Sequence, residues 1–447
     1  MFQTKTKGLI AGAIASSMLM LSACSTDGNT TAGTASPNAG ANNSPAVEKS
    51  SNPVTLQVWM PVSFPELDPA IKQIGTDFEK THPNIKVEIT TIPFADYFQK
   101  LSVAYAGGIQ PDVHGLGFGQ LISTVDQGNY MDMNPLIQKD NWSGKSDFFP
   151  DILKAGQWNG GLYGLLIPET RPLVWRKDYF QEAGLDPNKP PQTYDELFAY
   201  AKKLSKKDSS GKVTRSGLDI TTSTINNVNS EQAYLSMLLL NGLNFYDEKG
   251  NPTFDSPESV KVANQLTDLV KSKDVMFQAD ANVTGSLFQN SMAAMGFQSS
   301  YSLGQLTKSI GNDKIGFALP PKGPTGKQTS LMLGTFMTIA KKSAHSQEAW
   351  EFLKFMFSPD EFFQFSKATG YVPPMQSLQA KFEGLGEANK VIFASMKDAG
   401  GYLPSSNWSI ITKYLRIGLE EAYYGKKTPE QAMKDNADKA RQEVSKK

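Results

Sequence analysis

The chain has 447 residues, 39% hydrophobic and 20% charged, with 44 basic side chains balancing 44 acidic ones. A neutral chain lacks the basic field that a nucleic-acid partner requires. Its single cysteine rules out an internal disulfide, and His82, His114 and His345 stand far apart, without metal-ligand spacing.

Lys5 and Lys7 make a short basic start, followed by an apolar run of small and aliphatic residues from Gly8 to Leu21. That run is shorter than the roughly 20 residues that span a bilayer, so it reads as the hydrophobic region of a secretory signal. Leu21-Ser22-Ala23-Cys24 resembles the bacterial lipobox, which implies cleavage before Cys24 and lipidation of its thiol. Residues 1–23 are then a signal peptide and 24–53 a lipidated tether. Between Ser25 and Asn52 only Asp27, Val47, Glu48 and Lys49 depart from Ser, Thr, Asn, Gly, Ala and Pro. Such a segment has too little apolar surface to offset its chain entropy and is expected to stay disordered. Loss of Lys5 and Lys7 with the signal leaves acidic side chains in excess by two. No later apolar run is long enough to cross a membrane.

The body, roughly 390 residues, is too long for one core and suits two lobes. Val54 to Trp59 alternates apolar and polar residues, the period of a half-buried strand. Asp68 can cap a helix with Pro69 at its first position and Ile71, Ile74 and Phe78 on one face; His82-Pro83 stops it. Ile85, Val87 and Ile89 restore a period of two. A second helix places Tyr97, Leu101 and Tyr105 together and ends at Gly107-Gly108, before a strand from Pro111-Asp112-Val113. This alternation predicts an open α/β sheet with right-handed crossovers. Further along, Leu162 to Ile167 and Leu173 to Trp175 read as strands flanking Pro168-Glu169-Thr170-Arg171-Pro172. Thr193 with Glu196, Ser358 with Glu361, and Thr428 with Gln431 have the spacing of capping boxes. Ile315 to Leu319 is a short strand, and Ser330 to Leu333 another candidate. No repeat of 20–50 residues is present.

Five blocks, in order, resemble the extracellular solute-binding proteins that feed carbohydrate ABC importers: "FEKTHPNIKVEITTIPFADYFQKLSVAYAGGIQPDV", "YGLLIPETRPLVWRKDYFQEAGLDPNKPPQTYDELFAYAKKL", "AAMGFQSSY", "LPPKGPTGKQ" and "EAWEFLKFMFSPDEFFQFSKATGYVPP". The resemblance spans residues 54–447. It implies the two-lobe periplasmic-binding-protein fold (type II), each lobe an open sheet flanked by helices, with ligand between them. The expected division is 54–168 with 322–375 for the first lobe and 169–321 with 376–447 for the second. It also implies delivery of the ligand to a permease pair driven by an ATPase, with no cofactor and no metal.

A sugar offers flat C–H faces and a ring of hydroxyls, which call for aromatic faces and for carboxylates, Arg or amides. In open α/β sheets such groups gather beyond the carboxyl ends of strands. Trp59 closes the first predicted strand and opens the loop that reaches Phe64; Trp59 fits a core position as well as a site. Phe118 lies in "GLGFG", which lacks both the dinucleotide fingerprint and a P-loop Lys. Glu169 and Arg171, two apart on an extended segment, point the same way and suit hydroxyl recognition or a structural ion pair. Tyr301 falls where the family usually places a stacking aromatic, with Tyr in place of the commoner Trp and Gln298-Ser-Ser before it in place of Asn/Asp-Gly. Gly334, Thr335 and Phe336 match a family segment where backbone approaches ligand, and Phe336 fits a core position as well as a site. Trp408, in "GYLPSSNWSIITKYL", precedes a helical face of Ile410, Tyr414 and Ile417 and is the strongest stacking candidate.

The expected protein is a monomeric lipoprotein, anchored at Cys24 to the outer face of a bacterial cell membrane, that captures an oligosaccharide for an ABC permease. Alternatives are a polyol, glycerol phosphate or peptide as the solute, a surface-anchored glycan hydrolase, or a structural lipoprotein. No nucleophile elbow or reactive cysteine supports hydrolysis, whereas a carboxylate pair of glycosidase spacing is always available among 44 acidic residues.

Overall fold

A computed structural model describes residues 53–220, 231–276, 285–397, 399–400 and 405–446. The expected signal peptide and the expected tether from Cys24 to Asn52 lie outside the described residues. Two five-stranded sheets organise the body. Strands are β1 (Val54–Val62), β2 (Ile85–Pro93), β3 (Val113–Gly117), β4 (Gln157–Trp158), β5 (Gly161–Leu162), β6 (Leu165–Thr170), β7 (Leu173–Arg176), β8 (Lys206–Lys207), β9 (Val213–Asp219), β10 (Ala293–Phe297), β11 (Ile315–Ala318) and β12 (Met332–Ile339). The first sheet runs β2-β1-β3-β12-β6 and the second β11-β7-β10-β9-β8, while β4 and β5 form a separate hairpin.

Strand β1 pairs in parallel with β2 from Val54↔Ile85 to Val62↔Pro93, and with β3 at Val58 and Trp59. Its alternation turns Leu56, Val58 and Met60, all fully buried, to one face of the sheet. There they meet Leu67, Ile71, Ile74 and Phe78 of the helix Leu67–Thr81, which crosses from β1 to β2. The helix Ser346–Met356 adds Trp350 and Leu353, and Pro359–Thr369 adds Phe362 and Phe365. The second lobe packs β7, β9 and β10 against the helices Tyr194–Leu204, Gln232–Leu240 and Pro257–Lys271 and the C-terminal pair Trp408–Tyr423 and Pro429–Val444.

Several local expectations are corrected. Strand β1 continues through Pro61 to Val62, because backbone pairing with β2 holds to Pro93, so Trp59 is mid-strand. Asp68 sits inside the first helical turn and accepts from Lys72 Nζ at 3.0 Å and Thr91 Oγ1 at 2.5 Å; Glu66 is the N-cap residue. Thr193 and Thr428 do cap, accepting the N–H of Glu196 and Gln431, each at 3.2 Å. Ser358 makes no side-chain cap bond. Strand β12 starts at Met332 and runs past Gly334, Thr335 and Phe336, held by antiparallel pairing to both β3 and β6. The buried face of helix Trp408–Tyr423 is Ile411, Leu415 and Leu419, one residue on from the expected stripe.

Three passages connect the sheets. Strand β6 leads into β7 through Arg171-Pro172, and β11 leads into β12. At the third, Gly400 pairs in parallel with Leu331, its N–H donating to Ser330 O at 2.9 Å while Met332 N–H donates to Gly400 O at 3.1 Å. Arg171 N–H donates to Ser330 Oγ at 3.0 Å, and Thr170 Oγ1 and Ser395 Oγ share a hydrogen bond of 2.7 Å. Thr170, Arg171, Ser330, Leu331 and Ser395 are all buried at this crossing.

Candidate functional site

The segment after β1 and the end of β6 meet the turn after β10, and the loop after β3 meets the start of helix Trp408–Tyr423. Strand β6 is wholly buried and carries Glu169 out of the first sheet, with Arg171 following at the crossing. The two side chains form an ion pair, Arg171 Nη1 to Glu169 Oε2 at 3.0 Å, with Nη2 donating to Oε1 at 3.1 Å. Arg171 Nε also donates to Gln232 Oε1 at 3.1 Å, which joins the crossing to the first turn of a second-lobe helix. Glu169 Oε2 is buried and accepts no well-aligned hydrogen bond, although Nη1 lies close. It keeps an acceptor site for a further donor.

Two phenols lie near this carboxylate, and Phe64 packs on both. Phe64 stacks flat on Tyr301, with centroids 4.5 Å apart and planes within 10°, and Tyr371 is tilted against both, at 5.8 Å from Phe64 and 5.3 Å from Tyr301. Phe64 follows β1 whereas Tyr301 follows β10, so the stack joins a segment from each sheet, and both rings pack against the core of the first. Burial pushes the Tyr301 hydroxyl up to about 12, and the nearby Glu169 charge adds to the shift. The Tyr371 hydroxyl is raised well above the usual phenol range by the same two causes, in the same order. Both phenols therefore remain neutral donors beside an acceptor.

On the other side, Phe118 lies tilted 5.5 Å from the fully buried Phe336. Gly334 has φ +146°, and a Cβ there would overlap Ile167 O, so only glycine lets β12 lie this close to β6. Trp408 opens its helix half-buried, its indole edge-on to Phe245 at 5.2 Å and to Tyr246 at 6.2 Å. Eight residues on, Arg416 donates through Nε and Nη2 to Glu231 at 2.9 and 3.0 Å. Burial raises the pKa of Glu231, and the Arg416 charge opposes the shift. Trp408 is thus held on a braced helix, facing the loop Gly117–Gly119 of the other lobe.

The expected residues fall into groups. Glu169, Arg171, Phe64 and Tyr301 come together, while Trp408 lies on Gly119, the residue after Phe118. Phe336 is a core side chain, and Thr335 is buried in β12 near Tyr371. Trp59 lies on the sheet face opposite Met60, packed in the cluster that includes Ile92 and Tyr97, with Tyr97 Oη donating to its carbonyl at 3.2 Å. Among the described residues no ring contact joins Trp59 to the other candidates. Tyr371, Gln232 and Gly119 were not singled out; Tyr371 follows the left-handed Gly370 that ends helix Pro359–Thr369, and that C-cap signal was the one available. Among the described residues no group of three or more His, Cys, Asp or Glu could hold a metal, and no helix is long and apolar enough to cross a membrane.

Residues 73–390 match the family of bacterial extracellular solute-binding proteins. A putative binding protein of Brucella abortus is 25% identical over 379 residues, 83% of this chain and 89% of that one. The sn-glycerol-3-phosphate-binding periplasmic protein of Pectobacterium atrosepticum is 24% identical over 405 residues, 82% and 86% of the two chains. The solved structure of CpMnBP1 with mannotriose bound is similar in fold, with a TM-score of 0.74 and 26% identity over 87% of this chain and 100% of that one.

Proposed function

Because this chain belongs to the bacterial extracellular solute-binding proteins, we propose that it captures a neutral oligosaccharide between its lobes and delivers it to an ABC permease. The observation that carries this reading is the state of Arg171. Its charge is already met by Glu169, so the pair offers a ligand hydrogen-bonding capacity without net charge. A phosphate ester would need a cation to spare, whereas sugar hydroxyls suit a buried acceptor flanked by neutral phenols. Trp408 and Phe118 supply apolar faces for the C–H surfaces of a pyranose. The mannotriose-bound relative supports this choice, and the glycerol-phosphate-binding relative supports the rival solute.

The mechanism is capture and closure. Ligand bound to one lobe shifts the population toward the form in which the other lobe also touches it, and it must bind that form better for any shift to occur. No chemical step takes place. We further propose that the protein is monomeric and held outside the membrane by the lipid on Cys24. Thermal unfolding against saccharides, polyols, glycerol phosphates and peptides tests the reading, since a ligand at 100 times its Kd adds about 2.7 kcal/mol. Stabilisation by one class of oligosaccharide, recovered intact, supports it. Stabilisation by glycerol phosphate alone replaces it with the rival.

A further inference from the structure

Gly119 ends the loop after β3 in the first lobe, and Trp408 begins the helix Trp408–Tyr423 of the second. The indole lies directly on the Gly119 backbone: a Cβ at position 119 would overlap Nε1, Cε2 and Cδ1 of Trp408. The backbone of Gly119, at φ −80° and ψ −5°, is open to any residue. Glycine is therefore required there by the indole alone. Beside this contact Ser409 Oγ donates to Ser123 Oγ at 3.4 Å, again from helix to opposite lobe. Trp408 is held by edge-on contacts with Phe245 and Tyr246, and the Arg416–Glu231 pair braces its helix.

We propose that Gly119 is a positioning residue for closure, the seat on which Trp408 comes to rest, and that the absence of a side chain there sets how near the second lobe approaches the first. This rests on the reading that the lobes close over a ligand. It goes further by assigning the closing limit to one backbone position. A methyl group at 119 must hold the indole off. That shortens the lifetime of the closed form without altering encounter with the open one, so the effect belongs in the dissociation rate.

The test uses the full chain with Cys24→Ser, which removes its single cysteine, and spin labels at Lys100→Cys and Lys261→Cys, exposed positions on helices of the two lobes. Inter-label distances are measured for residue 119 as Gly, Ala and Val, without ligand and with mannotriose. Distributions that move to longer distance from Gly to Ala to Val, and return when Gly119→Val is combined with Trp408→Leu, support the proposal. Where mannotriose binds, its dissociation rate rises at least tenfold in Gly119→Ala with the association rate unchanged. Distances in Gly119→Ala and Gly119→Val that equal those of the parent overturn it. Failure of the underlying reading is separate: calorimetry would show no saccharide binding to the parent chain at all.

Discussion

The hydroxyl of Ser330 accepts the backbone N–H of Arg171 at 3.0 Å, in a site where both residues are buried. One hydrogen bond thereby fastens the segment before β12 to the crossing between β6 and β7, and the Ser330 carbonyl takes the Gly400 N–H of the third passage. Removing the hydroxyl leaves a buried N–H without its partner, which costs about 1–3 kcal/mol. Ser330→Ala is expected to lower the unfolding free energy by that amount in urea titration. Because all three passages meet here, it should also broaden the inter-lobe distance distribution. An unchanged unfolding free energy would show that the Arg171 N–H is satisfied in another way.

Trp408 is expected to contribute to affinity far more than to stability. It is half-buried at the first position of its helix, with the core carried by Ile411, Leu415 and Leu419 behind it. Trp408→Ala should weaken oligosaccharide binding at least tenfold, a loss of about 1.4 kcal/mol or more, while leaving the secondary structure intact. Titration calorimetry alongside circular dichroism separates the two effects. An unchanged Kd removes this ring from the ligand site. Phe336→Ala is the contrast: a fully buried side chain whose loss costs about 3–5 kcal/mol of stability.

Much of this was legible from the chain, for physical reasons that differ by element. The alternation in β1 and the 71, 74, 78 stripe report burial on one face, so the α/β class followed from periodicity. Glu169 and Arg171 were legible as a pair because two residues apart in an extended segment means one side. The ends of strands were not, since β1 and β12 are prolonged by pairing with neighbours remote in sequence. The Phe64–Tyr301 stack and the seat of Trp408 on Gly119 join segments more than 200 residues apart, and no local pattern encodes such a meeting.

The Glu169–Arg171 pair separates charge from shape. Glu169→Gln keeps an acceptor but leaves Arg171 as an uncompensated buried cation, and breaking a buried pair from one side costs about 3–5 kcal/mol. The double substitution Glu169→Gln with Arg171→Met removes both charges and should recover most of that stability. Neither variant should bind oligosaccharide within tenfold of the parent, because the amide offers one acceptor oxygen where the carboxylate offered two. Recovery of affinity along with stability in the double variant would make the pair structural only.

Glu361 gives a pH-dependent test that is independent of ligand. It lies on helix Pro359–Thr369 facing helix Leu67–Thr81, and burial pushes its carboxyl up to about 7, with the Asp77 charge adding and Lys80 opposing. An acid whose folded pKa exceeds the unfolded value of 4.5 gives stability that is fully present below pH 4.5 and lost as pH rises through 7. His114 acts in the opposite sense: burial lowers its pKa to about 3, so its share is present above 6.5 and lost on acidification. The two overlap between 4.5 and 6.5, and the difference between Glu361→Gln and the parent isolates the first. That difference in Tm should change little below pH 4.5, grow in favour of the variant between 4.5 and 7, and level off above. A difference that stays flat from pH 4 to 9 would mean that Glu361 ionises freely in the folded protein.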